Sequence, residues 1–391
     1  MFLKTVMERN QPLVRLGIEW QQNGVILPDT YLLDYDTILE NARSIKQAGD
    51  ANGVQNFFML KQIGRNPLIA RALTDMGYVG AVCVDFREAL TMVENQIPLG
   101  NVGHLVQIPR AALKKILRAK PVIVTVYTLE KAREISAVCT ELGLHQKLML
   151  RVLGEGDMLY SGQYGGFELQ ELDSAVRAIE AMPNVEVGGV CSFPCFLYDE
   201  AAQDILPMPN LRTVQTAAEM LRARGYRDLM LNTPSATCTH SIPMIAAAGG
   251  THGEPGHGLT GTTPYHAGHP DAEERPGYLY VSEVSHNLGD KAYCYGGGHY
   301  RRGHMKNALV GTTPENAKVV PVLPPDDSSI DYHFELQQNC PVSAAAVMAF
   351  RTQFFVTRSR VAVVKGLSSG KPELAGPYPS LGGPGRGGER G

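Results

Sequence analysis

The chain has no apolar run approaching the roughly 18 to 20 residues that a helix needs to cross a bilayer, which argues against a membrane-spanning helix. It also lacks a surplus of either charge. With 36 Lys and Arg against 39 Asp and Glu, the net charge is -3, a balance that argues against a nucleic-acid-binding face. Paired cysteines are missing: Cys83, Cys139, Cys191, Cys195, Cys238, Cys294 and Cys340 form an odd, scattered set, so no disulfide framework is expected. Settings such as Ala81-Val82-Cys83-Val84 suit reduced thiols that pack as small core residues. Residues Met1 to Asn10 mix Lys4, Glu8 and Arg9 with apolar residues and lack the continuous apolar centre of a signal peptide. The chain is therefore read as cytoplasmic. No early glycine-rich dinucleotide fingerprint is present, which weakens the case for a doubly wound open sheet.

What is there points to an α/β barrel followed by a β domain. The 391 residues, 44% of them hydrophobic, suffice for a barrel of roughly 250 residues and a second domain. Short apolar runs alternate with longer amphipathic segments between residues 30 and 250, the pattern of repeated β/α units on parallel strands. The expected strands are 30–34, 56–60, 79–84, 121–125, 147–152, 186–191 and 228–231, and the expected helices 37–47, 67–76, 86–94, 129–142, 168–182 and 211–224. Ile38, Ala42 and Ile45 recur near helical period, and Asp36 and Asp85 are placed to cap the helices after them. Seven strand-helix units and one weaker element predict a (β/α)8 TIM-type barrel over 30–272. From about 275, alternating runs such as 277–284, 317–323 and 359–364, separated by Gly, Pro and Asp clusters, predict a mainly β C-terminal domain over 273–381. Segment 1–29 is expected to pack with that domain. Segment 250–275, rich in Gly, Pro, His and Thr, is expected to be a functional loop or crossover. The Gly-, Pro-, Arg- and Glu-containing tail 382–391 is expected to be disordered.

Lys61 ends the apolar run Phe57-Phe58-Met59-Leu60 and meets a turn containing Gly64. An amine at the mouth of a barrel strand can lose its proton on desolvation and form a Schiff base, most often with pyridoxal phosphate (PLP). A PLP site also needs phosphate anchors, a partner for the pyridine nitrogen and a second proton donor. Ser235 and Thr237, in Asn232-Thr233-Pro234-Ser235-Ala236-Thr237, offer hydroxyls and backbone amides for phosphate oxygens. In Gly253-Glu254-Pro255-Gly256-His257 an acid sits beside a tight turn, where Gly256 permits close backbone approach. A carboxylate against the pyridine nitrogen would keep it protonated.

In this order, Lys61, the Ser/Thr turn, Glu254-Pro255-Gly256 and a C-terminal β domain resemble the fold-type III PLP enzymes, the alanine racemase and ornithine decarboxylase class. Gln62 to Pro67, Gly103-His104-Leu105-Val106-Gln107, Thr251 to Pro264 and Phe350-Arg351-Thr352-Gln353 look most like the YhfX-type branch. The resemblance spans roughly residues 30 to 380. It implies that Lys61 is the Schiff-base lysine and that Glu254 takes the place of the acid that decarboxylases of the class aim at the pyridine nitrogen, where racemases use an arginine. It further implies that Ser235 and Gly256 contact the phosphate, that Arg151 lies near the phenolic oxygen, and that His104 stacks on or bonds the ring; Thr237 and His257 are also expected among the cofactor-binding residues. Cys294 resembles a residue of the C-terminal domain that reaches the neighbouring subunit's site, where it would donate a proton; a homodimer with shared sites is implied. Which tyrosine acts as base opposite the lysine stays open among Tyr293, Tyr295, Tyr300, Tyr332 and Tyr378.

The function expected is that of a PLP-dependent enzyme acting at the α-carbon of an amino acid, with racemisation ahead of its rivals. A diamine-forming decarboxylase is disfavoured because Tyr295, not an aspartate, follows Cys294. A metal-assisted D-amino-acid dehydratase or aldolase would need a His-x-Cys-Asp set that Lys291 to Tyr295 lacks, so no metal ligands are assigned despite histidines at 240, 252, 257, 266, 269, 286, 299 and 304. A non-catalytic PLP carrier and a sugar-phosphate barrel enzyme without PLP are further alternatives. The substantial second domain favours an enzyme over a carrier.

Overall fold

The structure, a computed structural model, describes residues 1–383; residues 384–391, most of the expected tail, lie outside the described residues. The chain divides into two compact units, one made of residues 43–60 and 67–258, the other of 1–42, 61–66 and 259 onward.

The first unit is the barrel. Its parallel strands are Gln55–Asn56, Phe58–Met59, Ala81–Cys83, Leu99–Val102, Ile123–Val126, Gln146–Leu153, Val185–Cys191, Met230–Asn232 and His252–Gly253. Gln55–Asn56 pairs with His252–Gly253, whereas Phe58–Met59 pairs with Ala81–Cys83. These two pieces are halves of one stretch. Phe57 N–H and Met59 N–H donate to the carbonyls of Gly253 and Pro255, while Phe58 N–H donates to Gly80 on the opposite side. That alternation closes the sheet into eight staves. Helices Pro67–Asp75, Phe86–Glu94, Arg110–Arg118, Leu129–Leu142, Leu172–Glu180 and Pro209–Ala223 alternate with the strands. Phe57, Met59, Val82, Val84, Ile123, Met149 and Cys191 pack together as a core cluster, the side-chain filling that makes such a barrel a packed body and not a pore.

Two staves escape the sequence reading: Leu99–Val102, weakened by Gly100 and Asn101, and the two-residue His252–Gly253. In the other direction, Thr30–Asp34 is not a barrel strand. It pairs antiparallel with Tyr278–Leu288 and parallel with Arg360–Lys365, so the barrel boundary expected at residue 30 moves inward. The physical reason is that a strand buried on both faces reads alike in either sheet, and only the non-local partner distinguishes them. The capping residue also shifts. Asp85 caps as expected, accepting from Glu88 N–H at 2.8 Å, but Asp34, and not Asp36, accepts from Thr37 N–H and Thr37 Oγ1 at the start of Tyr35–Asn52.

The second unit is a mainly antiparallel β barrel. The strand order Lys291–Tyr295, His333–Leu336, Lys318–Leu323, Asn307–Gly311, Ala345–Met348, Tyr278–Leu288 returns to its start, because Tyr278–Leu288 also pairs with Lys291–Tyr295. Thr30–Asp34, Arg360–Lys365 and Glu373–Pro379 extend the sheet from Tyr278–Leu288. Helices Leu3–Arg9 and Gln11–Gln22 lay Phe2, Leu13, Leu16 and Ile18 against Leu279, Val281 and Val347. Among the described residues no helix is long and apolar enough to cross a membrane.

Candidate active site

Parallel strands deliver their C-terminal ends to one end of a barrel, where loops of varied sequence can gather polar groups without disturbing the core. In the barrel unit those ends carry Asn101 and His104, Thr125 and Tyr127, Arg151, Cys191, Asn232 and Glu254. Glu254 is the centre of the arrangement. Its side chain is 1% exposed, and burying an unpartnered carboxylate costs several kcal/mol. Two amides offset that cost. Asn232 Nδ2 donates to Glu254 Oε1 at 2.6 Å and Asn101 Nδ2 donates to the same oxygen at 3.3 Å; hydrogen bonds to a charged group contribute about 1.5–3 kcal/mol each. Asn101 is itself held, since its Oδ1 accepts from Thr125 Oγ1 at 2.7 Å. His104 Nε2 lies 3.5 Å from Glu254 Oε2.

His104 is buried and meets Phe193 edge-on, with ring centroids 5.5 Å apart. Its carbonyl accepts from Tyr127 OH at 2.7 Å, and that hydroxyl accepts from Arg151 Nη1 at 3.1 Å. Arg151 is fully buried, stacks its guanidinium 5.0 Å over the Tyr127 ring, and donates from Nη2 to the carbonyl of Gln163. Burial pushes the Tyr127 hydroxyl up to about 12, with Arg151 opposing. Cys191 is likewise pushed up to about 12 by burial, opposed by Arg151 and reinforced by Glu254, so it is a neutral packing group.

The turn after Met230–Asn232 has the properties of an anion receptor. Ser235 and Ala236 adopt φ of 108° and 54°, left-handed backbone that costs a non-glycine residue about 1–2 kcal/mol. Among the described residues the backbone N–H groups of Ser235, Ala236, Thr237 and Gly256 donate to no protein acceptor, and Thr233 Oγ1 is buried without a hydrogen-bond partner. Successive N–H groups turned one way by such dihedrals form an anion-binding concavity. Thr237 Oγ1 accepts from Glu254 N–H at 3.2 Å, tying the two segments. They approach so closely that a Cβ on Gly258 would lie 2.5 Å from the Thr237 carbonyl.

Of the residues singled out from the sequence, His104, Arg151, Ser235, Thr237, Glu254, Gly256 and His257 all fall in or after the C-terminal ends of barrel strands. Lys61 follows Phe58–Met59 after one residue and opens the 3-10 turn Lys61–Ile63, half-buried. Its segment belongs to the β unit, where Arg65 stacks 5.1 Å from the Phe355 ring. Cys294 is a residue of the β unit. It lies inside the β unit's sheet, opposite Val284 and Phe334, with no exposed surface. Burial pushes its thiol up to about 12, with donation by Ser282 opposing. Within the single chain Cys294 packs as a small, neutral core residue. Asn101, Thr125, Tyr127 and Asn232 escaped attention as site residues. Their one signal is a polar side chain inside an otherwise apolar strand or at its end.

The histidines between 240 and 304 do not converge. His252 is stacked on Phe57 and pushed down to about 4 by burial; His266 pairs with Glu274 at 3.0 Å, and His286 stacks on Tyr293. Among the described residues no group of three or more His, Cys, Asp or Glu is arranged to hold a metal ion.

Two family descriptions match the chain: "Alanine racemase, N-terminal domain" over residues 33–264 and "YhfX-like, C-terminal domain" over 279–374. The "Uncharacterized protein YhfX" of Escherichia coli (strain K12) is 43% identical over 384 residues, covering 98% of this chain and 99% of that protein. Among solved structures, the D-threonine aldolase from Filomicrobium marinum superposes with a TM-score of 0.66 at 16% identity over 90% of this chain and 95% of its own. The alanine racemase of Clostridium difficile 630 in complex with cycloserine gives 0.65 at 14% identity over 91% and 99%. The D-threo-3-hydroxyaspartate dehydratase from Delftia sp. HT23 gives 0.64 at 15% over 90% and 97%. At such identities these three likenesses establish the fold.

Proposed function

Because the chain belongs to the alanine racemase N-terminal domain family, with a YhfX-like C-terminal domain, we propose that it is a PLP-dependent enzyme acting at the α-carbon of an amino acid. The observation that carries this is the pairing of an anion-receptive turn, Ser235–Thr237, with the buried, amide-held carboxylate of Glu254 next along the barrel. The donor set fits the cofactor. Backbone N–H groups of 235–237 and 256, with the Thr233 hydroxyl, suit a phosphate. Glu254 suits the pyridine nitrogen, Arg151 the phenolic oxygen and His104 the ring face. PLP, when bound, supplies an electron sink for a carbanion at Cα.

The protein's own groups divide the remaining work. Lys61 Nζ would hold the cofactor covalently and would serve as the base that takes or returns the α-proton. Glu254 would hold the ring nitrogen and favour its protonated form. Arg151, fixed by Tyr127 and Gln163, balances anionic charge in a buried setting. The β unit of a partner subunit in a homodimer would present the group on the opposite face. We place amino-acid racemisation first. One observation favours a lyase as the second reading: the buried acid at 254 would favour a protonated ring, a stronger electron sink than simple racemisation requires.

The test is to incubate the PLP-loaded protein with D- and L-amino acids in deuterated water. Deuterium exchange at Cα with inversion supports racemisation; release of carbon dioxide, ammonia or an aldehyde supports a lyase. Exchange or turnover with no amino acid would overturn an enzyme of this class.

A further inference from the structure

The two oxygens of Glu254 are not equivalent. Oε1 accepts from both Asn232 Nδ2 and Asn101 Nδ2, and an amide nitrogen donates without being able to accept. Both lone-pair directions of Oε1 are thus taken by groups that cannot receive a proton. The oxygen that faces His104 Nε2 is the other one, Oε2, at 3.5 Å. Thr125 completes the device: by donating to Asn101 Oδ1 at 2.7 Å it fixes which end of that amide points at Glu254. All five residues are buried, so water does not compete for these bonds.

We propose that Asn101 and Asn232 are positioning residues that reserve Oε1 as a permanent acceptor, so that any proton Glu254 holds or releases is carried on Oε2, beside His104. This rests on the reading of Glu254 as the partner of the cofactor's ring nitrogen, and it assigns that task to one oxygen. The charged form of Glu254 is the one the two amides support, so their removal weakens the ionised state selectively. Ionisable groups near this carboxylate include His104, Cys191 and Cys195, and neither thiol ionises near neutrality because burial raises both.

Two measurements test it on the full chain. In the protein without cofactor, thermal unfolding midpoints are compared at pH 5 and pH 8 for wild type, Asn232→Ala, Asn101→Ala, Glu254→Gln and the Asn232→Ala/Glu254→Gln double variant. Asn232→Ala is expected to lose at least about 2 °C more at pH 8 than at pH 5, and Glu254→Gln is expected to remove that difference. An equal loss at both pH values, or a difference that survives in the double variant, overturns the proposal. In the PLP-loaded protein, Asn232→Ala and Asn101→Ala are expected to weaken cofactor binding about tenfold and to make the visible band vary with pH between 6 and 9. Wild-type affinity and a wild-type pH-independent band in both variants, with Glu254→Gln altered, also overturn it. If wild type binds no PLP, the functional reading fails, while the cofactor-free arm still decides the role of the amides.

Discussion

At the residue scale the decisive variable is burial. Glu254, His104 and Arg151 are ionisable side chains almost out of contact with water, a costly arrangement unless each finds partners. The same variable governs the cysteines. All seven are free and buried, and burial raises Cys191 and Cys294 to about 12, so the nucleophilic thiolate is scarce at neutral pH. A thiol-reactive reagent at pH 8 is expected to label fewer than one cysteine per native chain within minutes and all seven after unfolding. Rapid labelling at Cys294 in the native protein would contradict this and mark it as a reactive group. Residues 104, 151, 235 and 254 could be picked out from the sequence because each stands at an interruption in an apolar pattern, and the structure places all four in or after the ends of barrel strands. Sequence reading had no means of choosing the asparagines. Asn101 looks like a weak point in a strand until its amide is seen on Glu254.

Elements explain why some residues are placed as they are. The turn Gly296–Gly298 in the β unit is braced from two sides. Asp331 Oδ2 accepts from the N–H groups of Gly297 and His299, and Asp29, whose Oδ1 accepts from Tyr280 OH and Ser359 Oγ, presses so close to Gly297 that a Cβ there would lie 2.0 Å from its carboxylate. Burial raises Asp29 from 3.8 to about 6, with Ser359, Tyr280 and Arg358 opposing and Asp331 adding. A carboxyl raised in the folded state contributes stability that is complete below its unfolded value of 3.8 and is lost as pH rises through about 6. Asp29→Asn is therefore expected to be nearly neutral at pH 4 and to raise the unfolding midpoint relative to wild type at pH 8. A loss that is the same at both pH values would contradict this. Strand-level legibility followed length and composition. Gln146–Leu153 and Val185–Cys191 were foreseeable from long apolar runs, whereas His252–Gly253 is two residues long, held by neighbours on both sides and invisible to any periodicity.

Across the whole molecule, the barrel and the β unit each close on themselves, yet neither is a continuous stretch of chain. Thr30–Asp34 and Lys61–Asn66 belong to the β unit although barrel residues lie between them. Sequence order suggested a boundary at residue 30, because pattern identifies a strand but not the sheet it joins. This interleaving sets Lys61, the proposed tether, in a segment that follows a barrel strand after one residue and is grouped with the β unit. A Schiff base at that lysine is directly measurable. Purified protein mixed with PLP and freed of excess is expected to retain a visible absorption band of lysine-bound cofactor, to yield a single peptide modified at Lys61 after borohydride reduction, and to lose both in Lys61→Ala. Absence of the band in wild type, or its persistence in Lys61→Ala, would contradict the assignment.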